Sequence, residues 1–302
     1  MIMNPVVEAV NGCGTLSRRT LLQTLAVGAA ATIGTPAVAR TSEGELKGRI
    51  KQSVCLWCYN AYRDRTGMSL DDFAAACAEM GLKSIELVQP HDWPTLKKHG
   101  LICAMTPSHG IGKGLNRVEH HDECLASIRK SIEATAAAGF PNVITFSGNR
   151  AGMDDAEGLK NCAIGLKKIA RFAEQKKVTI CLEFLNSINH RDYMADSTQW
   201  CVDLVHEVGS ERVKVLYDIY HAGMMEEDPL ADIRQHFECW AHYHTGGLPG
   251  RNEIGDTQTL DYPELMRAIV ETGFDGYVGQ EFVPKREDAL ASLRQAVQIC
   301  DV

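Results

Sequence analysis

From residue 51 onward, short apolar runs alternate with longer stretches of helical period. The runs are Ser53–Trp57, Ser84–Val88, Ile102–Thr106, Asn142–Phe146, Val178–Glu183, Val213–Asp218, Ala241–His244 and Tyr277–Glu281. Each is short and almost uniformly apolar, which suits a parallel strand buried on both faces better than a half-exposed antiparallel one. Between and after them lie amphipathic stretches at Leu70–Met80, Trp93–Lys98, Glu119–Ala138, Ala156–Gln175, Ser197–Val208, Pro229–Glu238, Tyr262–Thr272 and Lys285–Cys300. Eight strands alternating with eight helices predict an α/β fold, a single-domain (β/α)8 TIM barrel.

Turn chemistry agrees with this reading. Gly139 and Gly209 stand where a helix C-terminus needs a left-handed backbone. Ser69 offers an N-cap followed by early acids, and Asp261 precedes a proline in the first turn of a helix. No linker or low-complexity tract divides residues 50–300. An open doubly wound sheet is the rival architecture, but the first strand is not followed by a glycine-rich phosphate loop. Gly110-Ile111-Gly112-Lys113-Gly114 comes after the third strand and lacks dinucleotide spacing.

The first 39 residues have a different character. Arg18-Arg19 is followed by an uncharged Ala- and Leu-rich stretch ending Thr35-Pro36-Ala37-Val38-Ala39. This reads as a twin-arginine-type signal over residues 1–39 that exports an already folded chain to the periplasm or cell envelope, leaving residues 40–302 as the barrel. The run is too weak for a stable membrane span. The remainder has the length of one such barrel, about 250 residues. A passenger that folds before export often carries a cofactor loaded in the cytoplasm, which directs attention to metal ligands.

With 31 basic and 39 acidic residues the formal net charge is −8, which argues against a nucleic-acid or anionic-membrane partner. The expected partner is a small hydroxy-carbonyl or sugar substrate, with assembly into a homo-oligomer left open. Of the cysteines only Cys55-Leu56-Trp57-Cys58 forms a motif. It lies in the first strand and its exit, without a second pair to complete a zinc knuckle and without the helix start that a redox pair uses.

In a parallel barrel the chemistry sits at the C-terminal ends of the strands. Strands five to eight end in Glu183, Asp218, His244 and Glu281. Taken singly, each acid reads equally well as a group at the barrel mouth, and His244 as a core histidine. Together, three converging carboxylates repel one another unless a cation lies among them. Oxygen donors with one imidazole favour Mn2+ or Mg2+, or Co2+, over a sulfur-rich zinc site. His221, three residues after Asp218, and Arg251, in the loop after the seventh strand, are expected to hold substrate oxygens. Trp57 and Glu86, ending strands one and two, are expected to add an apolar wall and a supporting acid. His109, in the loop after strand three, completes the expected substrate contacts.

The segments Cys181-Leu182-Glu183-Phe184-Leu185-Asn186-Ser187, Tyr217-Asp218-Ile219-Tyr220-His221 and Pro249-Gly250-Arg251-Asn252-Glu253, with Gly279-Gln280-Glu281 at the end, resemble the hydroxypyruvate isomerase group of the xylose-isomerase-like barrels. The resemblance spans roughly residues 50–300. It implies that Glu183, Asp218, His244 and Glu281 ligate the metal and that the two glutamates are an acid/base pair. It also implies aldose–ketose isomerisation, most directly of hydroxypyruvate to tartronate semialdehyde through an enediolate. The chain departs from those isomerases in carrying His244 where they tend to have glutamine, and shares this histidine with ketose 3-epimerases. Epimerisation or isomerisation of a free or oxidised sugar is therefore the alternative. A non-catalytic sugar-binding barrel is disfavoured by retention of both glutamates, and an endonuclease of related fold by the acidic charge and single metal set.

Overall fold

The computed structural model describes residues 46–302; the export signal expected over residues 1–39 lies outside the described residues. The parallel strands are β1 (Lys51–Cys55), β2 (Ser84–Glu86), β3 (Met105–Thr106), β4 (Asn142–Thr145), β5 (Thr179–Glu183), β6 (Val213–Asp218), β7 (Trp240–Thr245) and β8 (Tyr277–Gln280). They pair in the order β2-β1-β8-β7-β6-β5-β4-β3. Across the remaining seam, Ile85 N–H donates to Ile102 O at 3.1 Å and Leu87 N–H to Met105 O at 2.9 Å, which brings the sheet round into a nearly closed barrel. The third strand is shorter than the pattern suggests at its N-terminal side: Ile102 makes an isolated bridge to Ser84, and Ala104 N–H donates to the Ser84 hydroxyl at 2.8 Å instead of to a neighbouring backbone carbonyl.

The surrounding helices are α1 (Asn60–Thr66), α2 (Leu70–Glu79), α3 (Trp93–Lys98), α4 (His121–Ala138), α5 (Asp155–Lys176), α6 (Thr198–Val208), α7 (Ile219–Met224), α8 (Pro229–Gln235), α9 (Tyr262–Glu271) and α10 (Ala289–Ile299). Ser69 and Asp72 form a capping box at the start of α2, and Gly139 ends α4 at φ +75°. Two helices escape the sequence pattern. α1 has no buried residue and so no apolar stripe. α7 is a short turn started by the Asp218 side chain, which accepts from Tyr220 N–H and His221 N–H. Apolar residues fill the layer between barrel and helices: Leu166, Ile169, Leu204 and Tyr217 on one side, Phe73, Cys77, Leu96 and Leu293 on the other. Burying each such side chain contributes about 1.5–3 kcal/mol. Among the described residues no helix is long and apolar enough to cross a membrane.

Candidate active site

Strand alternation and register bring four side chains to one point. Asp218 pairs with His244, and His244 with Gly279. Glu281 follows β8 directly, and its N–H donates to Thr245 O at 3.1 Å. Glu183, Asp218, His244 and Glu281 each offer a ligand atom, all within 4.8 Å of one another and all buried.

A second group surrounds the first. Arg251 Nη2 lies 2.6 Å from Glu281 Oε2 and 3.1 Å from Asp218 Oδ2. Its guanidinium stands 5.4 Å from the ring centres of both Trp57 and Tyr220, within cation–π range. The loop carrying it is pinned to the β8 exit. Val283 N–H donates to Arg251 O at 2.7 Å, and Glu253 Oε1 accepts from Lys285 N–H, Arg286 N–H and the Ser292 hydroxyl. His221 is fully buried, with Nδ1 accepting from Asn186 N–H at 3.0 Å. Among the described residues its Nε2 has no hydrogen-bond partner, and it faces Asp218 Oδ2 at 3.5 Å.

The electrostatics follow from burial. Burial raises the pKa of Glu183 and lifts that of Asp218 to about 7 despite the opposing pull of Arg251. Burial acts the same way on Glu281, but Arg251 and His244 outweigh it and hold this carboxyl well below its ordinary range. For His244, burial opposes a positive charge, yet the anionic groups around it, Glu281 among them, raise its pKa well above the imidazole value. Raised values at Glu183, Asp218 and His244 mark a buried site short of positive charge, the demand that a divalent cation meets. His244 Nδ1 fits that role. It lies 2.6 Å from Glu281 Oε2 and 3.5 Å from Glu183 Oε1 without hydrogen-bond alignment to either, while Nε2 is engaged by Glu86 Oε2 at 3.2 Å. Three carboxylates and one imidazole nitrogen form a donor set that could hold a metal ion.

Above this floor opens a cavity of about 420 Å³, lined by Trp57, His109, Glu183, Arg251 and Glu281 and walled by Leu87, Pro107, Ile111, Ile144, Phe146 and Leu185. His109 Nδ1–H is directed at Gly110 O and Lys113 O, and its Nε2 accepts from the Thr145 hydroxyl at 2.8 Å. Burial lowers the His109 pKa. Of the expected substrate contacts, Trp57, His109 and Arg251 line the cavity, and His221 sits beneath it against Asp218. Glu86 does not reach the cavity. It is fully buried behind His244, 2.8 Å from His242 Nε2. Burial raises its pKa, but His242 and His244 bring it down to about 2. The two cysteines of the Cys55–Cys58 motif are buried free thiols, and burial raises the pKa of both.

Three participants carried no assigned role in the sequence reading: Asn186, Tyr220 and His242. Asn186 and Tyr220 stand inside quoted motifs. The period-2 repeat His242-x-His244 was the available signal for the third, since it places both rings on one face of a strand.

Residues 67–299 match the xylose isomerase-like TIM barrel family. The chain is 29% identical over 240 residues to the 2-oxo-tetronate isomerase of Haemophilus influenzae, covering 72% of this chain and 89% of that protein. It is 20% identical over 221 residues to the hydroxypyruvate isomerase of Escherichia coli, covering 69% and 85%. Its fold is similar to that of a 3-keto-D-glucoside 4-epimerase from E. coli, with a TM-score of 0.69, 17% identity, and 82% and 98% of the two chains covered. The chain belongs to the xylose isomerase-like TIM barrel family.

Proposed function

We propose that the chain is a metal-dependent isomerase that moves a proton within a small α-hydroxy carbonyl compound. The observation that carries this reading is that Glu183 and Glu281 both approach His244 Nδ1, at 3.5 and 2.6 Å, while lining the cavity and belonging to one four-residue donor set. Glu183, Asp218, His244 and Glu281 would hold the cation. Bound there, it would stabilise negative charge developing on the carbonyl and neighbouring hydroxyl oxygens of the substrate.

The chain's own groups do the rest. One glutamate takes the proton from carbon, and the other returns a proton to the adjacent carbon or to the opposite face of the same carbon. The first outcome is aldose–ketose isomerisation, the second epimerisation. Arg251, within cation–π range of Trp57 and Tyr220, binds a substrate oxygen, and His221 holds its Nε2 toward Asp218 Oδ2. Trp57 and the apolar wall exclude water. The names of the relatives support a keto-acid substrate, with hydroxypyruvate and tartronate semialdehyde as the first pair.

The cavity favours a second reading. It is larger than a three-carbon acid fills, and among the described residues Arg251 and His109 are the only basic side chains lining it, which suits epimerisation or isomerisation of a longer, free or oxidised sugar. Solvent-deuterium exchange decides between them: hydroxypyruvate, 2-oxo-tetronate and neutral ketoses are incubated with enzyme and Mn2+ in D2O. Exchange into the keto acids supports the first reading and exchange into ketoses alone the second. Exchange into none removes the isomerase assignment. Arg18-Arg19 supports a periplasmic location; replacing both with lysine is expected to leave the chain in the cytoplasmic fraction, and unchanged export would remove that assignment.

A further inference from the structure

We propose that Glu86 and His242 are a buried positioning pair that fixes the ring of His244 so that Nδ1 is presented to the metal. This rests on the metal-dependent reading above and concerns residues outside the cavity.

The contact is a long-range one. β2, which ends in Glu86, and β7, which carries both histidines, are separated in the sheet by β1 and β8, so the Glu86 side chain reaches His244 through the barrel interior. Space for it is made at Gly279. A Cβ there would lie 2.5 Å from Glu86 Oε1 and 2.9 Å from His244 Cδ2. The glycine on the intervening strand is therefore the gap that the carboxylate and the ring share.

A carboxylate is costly in such a place. Glu86, His242 and His244 are all fully buried, and an unpaired buried charge costs several kcal/mol. A single oxygen, Glu86 Oε2, is the hydrogen-bond partner of His244 Nε2 at 3.2 Å and lies 2.8 Å from His242 Nε2 without hydrogen-bond alignment to it. Neither Glu86 nor His242 touches the cavity, so contact with substrate does not account for the pair.

Its effect on His244 follows from the inventory of an imidazole. A ligating histidine is neutral and has one N–H. With that N–H on Nε2 and donated to Glu86, the lone pair is on Nδ1, the atom already turned toward Glu183 and Glu281. The carboxylate locks the ring rotation and increases the basicity of the ligating nitrogen. Cys55 Sγ, 3.6 Å from the same Nε2, is a much weaker partner.

The test titrates Mn2+ alone into wild type, Glu86→Gln and Gly279→Ala, following free Mn2+ by electron paramagnetic resonance and the metal-free proteins by thermal melting. Loss of the carboxylate, or its displacement by the new Cβ, is expected to weaken Mn2+ binding about 10–100-fold and to diminish the histidine nitrogen coupling in the Mn2+ spin-echo spectrum. A folded variant whose Mn2+ affinity stays within about twofold of wild type overturns the proposal. So does a wild-type complex that binds Mn2+ without nitrogen coupling, a result that needs no variant to fold. A wild-type chain that does not bind Mn2+ at all overturns the metal-dependent reading itself.

Discussion

Trp57 donates its indole N–H to Glu281 Oε1 at 2.8 Å. The ring stands at the cavity mouth, 41% exposed, so one residue is both a wall for substrate and a hydrogen-bond donor to a glutamate assigned to proton transfer. Trp57→Phe separates these roles by keeping an aromatic wall and deleting the donor. A hydrogen bond to a charged group contributes about 1.5–3 kcal/mol, so kcat/KM is expected to fall about 10–100-fold. Steady-state kinetics on whichever substrate shows exchange is the check; a loss confined to KM would assign Trp57 to substrate packing alone.

Arg251 is the cation that Glu281 and Asp218 share. Arg251→Ala leaves those buried carboxylates without it, and breaking a buried ion pair from one side costs about 3–5 kcal/mol. Urea unfolding of the metal-free variant should show that loss, and saturating Mn2+ should recover much of it. Equal destabilisation with and without Mn2+ would show that Arg251 acts apart from the ion site.

Glu183→Gln and Glu281→Gln keep the shape of the site and remove a proton carrier. General acid–base groups contribute about 10²–10⁴-fold, and each variant is expected to lose turnover on that scale while retaining measurable Mn2+ binding. A fully active variant at either position would remove that glutamate from proton transfer.

His109 supplies a pH signature. Burial lowers its folded-state pKa below the ordinary 6.5, so the unfolded chain binds the proton more readily. Below pH 6.5 the unfolded state therefore carries more protons, and stability rises as pH climbs toward that value. Protonation also removes the acceptor that Nε2 offers Thr145. The stability advantage of wild type over His109→Gln should be larger at pH 7.5 than at pH 5, read from urea midpoints at the two values. An equal difference at both would place the His109 titration outside folding.

Much of this architecture could be read along the chain, since a buried parallel strand has to be apolar and an acid at its end stands out. Glu183, Asp218, His244 and Glu281 were visible for that reason. What escaped was set by distance or by loop geometry. Glu86 is assigned as a supporting acid from its strand-end position, but its partnership with His242 and His244 depends on a path across the barrel and on the absent side chain at Gly279. The seat of Arg251 between Trp57 and Tyr220 depends on how Glu253 pins a loop. α7 has too few residues for a period, and starts only because Asp218 caps it.

That cap gives the site a mechanical linkage. Asp218 grips the first turn of α7 with Oδ1, at 2.9 Å from Tyr220 N and 3.3 Å from His221 N, while Oδ2 faces Arg251 and His221. With a cation held as proposed, a change of ionic radius that shifted this carboxylate would tug on the turn bearing Tyr220, the ring against which Arg251 stands, so exchanging one divalent ion for another would move the Arg251 guanidinium as well as alter the strength of the Lewis acid.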